Sequence, residues 1–446
     1  MTDVSRHKSG TRAVRLTDGR PWSRALMWFA GLVPFFFLSY GLANTIAAAN
    51  PDVGSIVYSW ERYIPFLPWS IVPYWSIDLF YGAALFLCLT RAEVDTLGKR
   101  LLSVQIIAVL CFILLPLAFS VDRPEVAGFP GQMFSALEGF DKPFNQAPSL
   151  HIALLVVLWV HYAKHVPDRL RKPLHVWFTA IGLSVLTTYQ HHFIDVPTGA
   201  LLGLFAVWLW PARGANALAG FRLTKDKHRM KLAAVYGLAG AAFGAAAWFL
   251  GGVALWLAWP AVSVLLAAAA YAGLGEAVFQ KDEKGRINSA IKWLLAPYLI
   301  GAWINSRAWT RSRPQPVHIT DNVWIGRFPS AFDLKQDEFA AVVDMTAELP
   351  APRHAVQWQT VPNLDLIVPK EGSLRAAAGQ ITASRRSGPV LVCCALGYSR
   401  SAQAVVTWLV KSGRCASIDD AAAMVRAAQP NFKPSPQSLA AIAAAA

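Results

Sequence analysis

The first 274 residues carry eight apolar runs, at 25–47 and at about 67–90, 101–120, 149–163, 175–191, 195–212, 232–250 and 252–274. About 20 apolar residues in a helix cross the hydrocarbon of a bilayer. With 55% hydrophobic and 15% charged residues, the composition points the same way. The net charge is +14, but residues 315–446 hold 12 Lys/Arg against 10 Asp/Glu, so +12 of it lies in 1–314. Loops on the cytoplasmic side of a membrane collect Lys and Arg, which accounts for this excess without nucleic acid. Arg91, Lys99 and Arg100 fall in one loop; Lys164, Arg169, Arg171 and Lys172 in another; Arg213, Arg222, Lys225, Lys227, Arg229 and Lys231 in a third. The alternate loops, 48–66 and 121–148, hold only Arg62, Arg123 and Lys142. Eight spans with both termini in the cytoplasm are expected. The basic segment 1–24, with Arg6, Lys8, Arg12, Arg15, Arg20 and Arg24, then stays inside, and 25–47 is an uncleaved anchor.

After the last run, residues 275–292 are polar. Trp293–Ile304 is apolar but interrupted by Pro297 and too short to span, so an interfacial segment is expected there. A basic, proline-bearing linker over 307–316 follows. The chain therefore divides into a cytoplasmic N-terminus (1–24), six spans (25–212), two further spans with the interfacial segment and linker (213–316), and a soluble domain (317–446) ending in an alanine-rich tail. In that domain Val323–Arg327 and Ala341–Met345 read as strands, and Ser417–Ala428 and Ser438–Ala443 as helices. The expected fold class is a multi-pass α-helical membrane bundle followed by a small α/β domain. The five cysteines form no disulfide framework. No metal-ligand cluster is visible, and neither half requires a metal or cofactor.

The soluble domain is organised by Pro389–Ser401, where a β-branched run meets a turn of small residues and then a helical pattern. Such a strand–loop–helix aims the backbone N–H groups of Ala395, Leu396, Gly397, Tyr398 and Ser399 at one spot before a helix N-terminus, which suits a phosphate dianion. The same field favours a thiolate at Cys394. Arg400 offers a planar fork to two phosphoryl oxygens, and Ser401 can donate to the sulfur as it leaves. The loop resembles the signature of dual-specificity phosphatases, within the cysteine-dependent protein tyrosine phosphatases. Gly326-Arg327-Phe328-Pro329 resembles that family's opening segment. The resemblance implies a cysteine-phosphatase fold and a general acid on a separate loop. Asp365 matches that position, with Glu371 as the alternative. The family's His before the nucleophile is Cys393 here, either a small apolar substitute or a modifier of the thiol.

Three polar motifs sit at the ends of membrane runs: Arg123-Pro124, Pro148-Ser149-Leu150-His151, and His191-His192-Phe193-Ile194-Asp195. Ionisable groups at membrane depth are costly and mark function. An Arg and a Ser can hold phosphoryl oxygens, one His can attack phosphorus with a carboxylate four residues on to orient it, and a second His can protonate the leaving alcohol. These motifs resemble the type 2 phosphatidic-acid phosphatase family, in a variant similar to the inositol phosphorylceramide synthase branch. The resemblance implies His191 as nucleophile, Asp195 as its orienting acid, His151 as proton donor, and Arg123 and Ser149 as phosphate binders. The family's Lys and Arg are Pro116 and Val185 here, which suits a phosphodiester donor or transfer to an acceptor. Asp78, inside the second run, is a further candidate for lining the cavity.

The leading expectation is a bifunctional phosphatase of phospholipid metabolism in a bacterial-type inner or plasma membrane, its C-terminal domain cytoplasmic. A phospholipid is then the substrate, with no nucleic-acid or metal partner. The alternatives are a membrane-anchored protein phosphatase, whose substrate is a phosphoprotein, and an inactive phospholipid sensor.

Overall fold

The computed structural model describes residues 19–446, apart from 140, 214, 215 and 354. Arg6, Lys8, Arg12 and Arg15 of the expected N-terminal segment lie outside the described residues. The chain divides into two compact units, one ending at Ala206 and the other beginning at Val207. The division falls inside one helix, close to the end of the six expected spans.

Each apolar run forms helix. The first unit contains α1 (Trp22–Ala48), α2 (Ile71–Leu87), α3 (Arg91–Leu114), α4 (Gly128–Glu138), α5 (Leu150–His165), α6 (Asp168–Thr187) and α7 (Asp195–Leu209), whose last turn continues into the second unit. Thr90 and Ser149 cap α3 and α5 by accepting from the Glu93 and Ile152 N–H groups. The third run was expected to continue to 120. The helix stops at Leu114 instead, because Leu115 precedes a proline and leaves the helical region. Leu117 then makes extended bridges to Gly54 and Asn145. Helix α4 was not anticipated in the loop 121–148. Gly199 and Gly203 let α7 lie against α5, since a Cβ at either would sit 2.4 Å from the Ser149 carbonyl oxygen or 2.6 Å from that of Ala153.

Among the described residues, five helices are long and apolar enough to cross a membrane: Trp22–Ala48, Pro68–Leu87, Arg91–Leu114, Lys227–Leu250 and Gly252–Phe279. Leu150–His165 and Asp195–Leu209 are apolar but shorter. Helix α6 is 20 residues long but carries Asp168, Arg169, Arg171 and Lys172 in its first turns.

The second unit begins its own helices with α8 (Lys227–Leu250) and α9 (Ala258–Ala269), followed by a π turn over Ala270–Leu274. Next come α10 (Ser289–Leu294) and α11 (Ala296–Trp309), then the α/β part: β1 (Val317–Thr320), β2 (Val323–Arg327), α12 (Ala331–Gln336), β3 (Ala341–Thr346), β4 (Gln357–Asn363), α13 (Glu371–Ser384), β5 (Val390–Cys394), α14 (Arg400–Lys411), α15 (Ile418–Ala428) and α16 (Pro436–Ala445). The sheet runs β1-β2-β5-β3-β4, with β1 antiparallel to β2 and the other pairs parallel. Parallel strands are covered on both faces, which explains the unbroken burial of β3 and β5. Helices α13 to α16 cover one face.

The layer on the other face reaches back before the expected boundary at 317. That face is covered by α12 and by Ala302 and Trp303 of α11, so the segment read as interfacial and linker is a layer of the domain. The polar stretch before it also belongs there. The Thr360 N–H donates to the Glu283 carbonyl at 3.0 Å and the Ala351 N–H to that of Gly285 at 2.8 Å. Lys281 is buried in an ion pair with Asp344 of β3, and its ammonium also donates to the Thr346 carbonyl and hydroxyl at 2.9 Å each.

Two candidate phosphoryl-transfer sites

In the α/β part, β5 delivers Cys394 to the mouth of a loop that ends where α14 begins at Arg400. The Gly397 N–H donates to Cys394 Sγ at 3.2 Å, and the Ser401 hydroxyl at 3.4 Å. Both favour negative charge on sulfur. Gly397 has φ +77°, and a Cβ there would lie 2.5 Å from the Gly326 carbonyl carbon, so only glycine lets the loop close against β2. Ser399 precedes α14 without capping it through its side chain. The helix N-terminus therefore keeps its N–H groups for an anion.

Arg400 is buried, and its fork is fully used. Nη1 donates to the Asn363 carbonyl at 2.7 Å and to Glu348 Oε2 at 3.2 Å; Nη2 donates to Glu348 Oε1 at 2.9 Å and to Asp365 Oδ1 at 2.8 Å. Burial alone would pull its pKa down, but the Glu348 and Asp365 carboxylates outweigh that and hold the guanidinium well above its ordinary value. Glu348 was not found from the sequence. It is an unremarkable acid after β3, and only the parallel pairing of β3 with β5 brings it under Arg400. Asp365 reaches the guanidinium from the loop after β4, whereas Glu371 opens α13 on the exposed surface. Cys393 and Cys394 face opposite sides of the sheet, as neighbours on a strand must, and join different core clusters. Burial, with Asp344 nearby, pushes the Cys393 thiol well up, so at neutral pH it is a neutral thiol. Of the two sequence readings, a small apolar substitute is the one this environment favours.

Helix α11 braces the same loop. Ser306 donates to the Ala395 carbonyl at 2.5 Å, Tyr398 to the Trp309 carbonyl at 3.2 Å, and Arg307 to the Phe328 carbonyl through both terminal nitrogens at 3.0 Å. The Asp365 loop is tied to the apolar helices of this unit. Tyr271, in the turn after α9, donates to the Asp365 carbonyl at 3.1 Å, and His228 Nε2, at the start of α8, lies 3.1 Å from the Leu366 carbonyl.

The first unit holds the second site. A cavity of about 300 Å³ is lined by Tyr40, Tyr74, Asp78, Asp141, His151 and His191, with apolar neighbours. His191 Nδ1 lies 3.2 Å from Asp195 Oδ2, which also accepts from the His192 N–H at 3.0 Å. That pairing leaves Nε2 of His191 as the free lone pair. The His191 N–H is held by the Val185 carbonyl at 3.1 Å, and the Ser149 N–H donates to the Asp195 carbonyl at 3.1 Å. His151 is stacked on Tyr74 with ring centroids 4.3 Å apart, and its buried Nε2 has no hydrogen-bond partner among the described residues. Ser149 Oγ is occupied as the cap of α5. Arg123 does not line the cavity. Its guanidinium donates to the Thr188 and Tyr189 carbonyls and to Glu138, and lies over Phe134. His192 serves a structural role beside it, 3.0 Å from Glu61 and 3.1 Å from the Ser120 hydroxyl. Among the described lining residues there is no Lys or Arg. Asp141 was missed in the sequence because it lies in a loop with no motif; its carboxylate accepts from Tyr40 at 2.8 Å.

Residues 97–217 match the PAP2 superfamily, and residues 323–445 match the dual specificity phosphatase catalytic domain. No curated protein matches the chain. Among solved structures, Tk-PTP in its active form is 24% identical over 30% of this chain and 97% of its own, with a TM-score of 0.27. Human DUSP28 is 23% identical over 28% and 92%, with a TM-score of 0.26. PTPMT1 in complex with PI(5)P is 17% identical over 28% and 91%, also at 0.26. The chain is a two-domain phosphatase, a phosphoric monoester hydrolase in which a PAP2 superfamily domain precedes a dual specificity phosphatase catalytic domain.

Proposed function

We propose that the chain is an integral-membrane enzyme of phospholipid phosphate chemistry with two separate active sites. The observation that carries this reading is the docking of the Asp365 loop on helices α8 and α9 through His228 and Tyr271. Those helices belong to the stretches long and apolar enough to cross a membrane. A general acid tethered there works beside the bilayer, where lipid headgroups are concentrated.

At the first site the Cys394 thiolate attacks phosphorus of a phosphomonoester. The S–P bond forms, the ester P–O bond breaks, and the leaving alkoxide takes a proton from Asp365. Arg400 and the loop N–H groups hold the phosphoryl oxygens. Water then attacks the thiophosphate with Asp365 receiving its proton, and Ser401 donates to the departing sulfur. Before substrate arrives, Asp365 occupies the guanidinium edge that a phosphoryl oxygen would take. At the second site His191 Nε2 attacks phosphorus, His151 protonates the leaving alcohol, and water or an acceptor hydroxyl completes the transfer. The described residues that line this cavity include Asp78 and Asp141 and no Lys or Arg, which supports a singly charged phosphodiester donor over a phosphate dianion.

The charge pattern of the loops supports a cytoplasmic Cys394 and an opposite-face His191. The test is phosphate release by the full chain in vesicles, from anionic phosphomonoester lipids and from phosphopeptides. Cys394-dependent release from lipid is expected; release from phosphopeptides alone would replace this reading with the membrane-anchored protein phosphatase. A membrane-impermeant thiol reagent on intact cells is expected to spare Cys394, and labelling before lysis would reverse the proposed orientation.

A further inference from the structure

No metal-ligand cluster is visible in the sequence, but the fold brings one together at the end of α5 away from His151. His161 and His165 lie one turn apart on α5, and Glu93 comes from the first turn of α3. One ligand atom from each residue lies within 4.8 Å of the others. We propose that Glu93, His161 and His165 form a binding site for a first-row divalent metal ion of the Zn²⁺ class, clamping α3 to α5.

The second contacts of each residue carry the argument. A metal-binding imidazole commonly gives its other ring nitrogen to a carbonyl, which fixes the tautomer and frees a lone pair for the metal. His165 does so, with Nδ1 2.8 Å from the His161 carbonyl; His161 does so, with Nε2 3.0 Å from the Ala84 carbonyl. The remaining nitrogen of His165, Nε2, is buried and makes no hydrogen bond among the described residues, yet it lies 3.1 Å from Glu93 Oε1. Glu93 is oriented the same way. Its Oε2 accepts from the Leu89 N–H at 2.9 Å, which turns Oε1 toward the imidazoles. Ligands about 2.1 Å from a tetrahedral Zn²⁺ stand about 3.4 Å from each other, so the His165–Glu93 spacing needs little adjustment. Two imidazoles and one carboxylate suit Zn²⁺ and its first-row neighbours rather than Mg²⁺ or Ca²⁺.

One cation already touches this site. Lys164 Nζ lies 2.5 Å from Glu93 Oε1, on a side chain that is 62% exposed. The ammonium neutralises Glu93 and can swing into water when a metal ion takes its place. The competing explanation is an ion pair between α3 and α5 with no affinity for metal.

The experiment uses the tag-free full chain in detergent, stripped with chelator and titrated with Zn²⁺ by calorimetry and with Co²⁺ by visible absorption. One equivalent per chain is expected, with a rise in thermal midpoint on loading. Glu93→Gln and His165→Gln are each expected to lose that equivalent, the Co²⁺ bands and the stabilisation. Lys164→Gln keeps every ligand and removes the competitor, so it is expected to bind more tightly than the wild type. It also guards against a variant that fails to fold. Absence of the equivalent in both wild type and Lys164→Gln, or its persistence in both ligand variants, would overturn the site.

Discussion

The two candidate sites present different electrostatics to a phosphoryl group. Around Cys394, a helix N-terminus, a loop of N–H groups and a buried Arg400 converge on one point, and two carboxylates keep that arginine charged. Around His191 the cavity presents aspartates, tyrosines and a second histidine, while Arg123 is spent on carbonyls and Glu138 outside the lining. A dianion suits the first, and the reading proposed for the second is a singly charged donor, so the comparison predicts two substrates of different charge.

The sharpest way to break the comparison is to remove each nucleophile alone. Cys394→Ser is expected to lower hydrolysis of a generic aryl phosphate by about 10⁴-fold or more while substrate still binds. His191→Ala should leave that activity intact. If His191→Ala removed the aryl phosphatase activity instead, the assignment of the dianion to the Cys394 site would be wrong. Next in size, Asp365→Asn is expected to cost about 10²–10⁴-fold with an alkyl phosphate and far less with a good leaving group. The basic limb of the pH–rate profile should disappear with it. An equal loss for every leaving group would make Asp365 a structural partner of Arg400 only.

Legibility in the sequence followed the same divide. The Cys394 loop was readable because its parts are contiguous: strand, small-residue turn and helix lie within Pro389–Ser401, and Asp365 follows the family pattern. Glu348 was not, because a parallel sheet places residues distant in sequence side by side. Helix α11 shows the same limit. Twelve apolar residues with a proline resemble an interfacial segment, and no local pattern shows that Ala302 and Trp303 pack on the sheet while Ile300 and Ile304 stay exposed. The His191 motifs were readable by residue type, but Asp141 and the diversion of Arg123 depend on helix ends packing together. The Glu93–His165 contact likewise joins two helices that no local pattern connects.

A smaller effect sharpens the boundary of the cysteine-phosphatase part. Lys281, far before the first strand, is buried against Asp344. Lys281→Met leaves that carboxylate as an unpaired buried charge, at a cost of about 3–5 kcal/mol. The midpoint for thermal loss of Cys394-dependent activity should fall, while His191-dependent activity keeps its own midpoint. Lys281→Met with Asp344→Asn should recover much of the loss. Unchanged thermal behaviour in the single variant would restore a domain boundary near 317.

The smallest expected effect tests whether the apolar helices position the acid. Tyr271 donates one hydrogen bond to the Asp365 carbonyl from the turn after α9. Tyr271→Phe removes that bond and nothing from the phosphate-binding loop. One such bond contributes about 0.5–1.5 kcal/mol, so turnover of an alkyl phosphate should fall by about 2- to 12-fold. Hydrolysis of an aryl ester with a good leaving group needs little help from an acid, and its rate should hardly change. Vanadate affinity, which reports on Arg400 and the loop, should also stay the same. In a Tyr271→Phe, Asp365→Asn double variant the Tyr271 effect should vanish, because there is no longer an acid to place. If the two losses multiplied instead, Tyr271 would act through the stability of the fold, and the link between the apolar helices and the Cys394 chemistry would be structural alone.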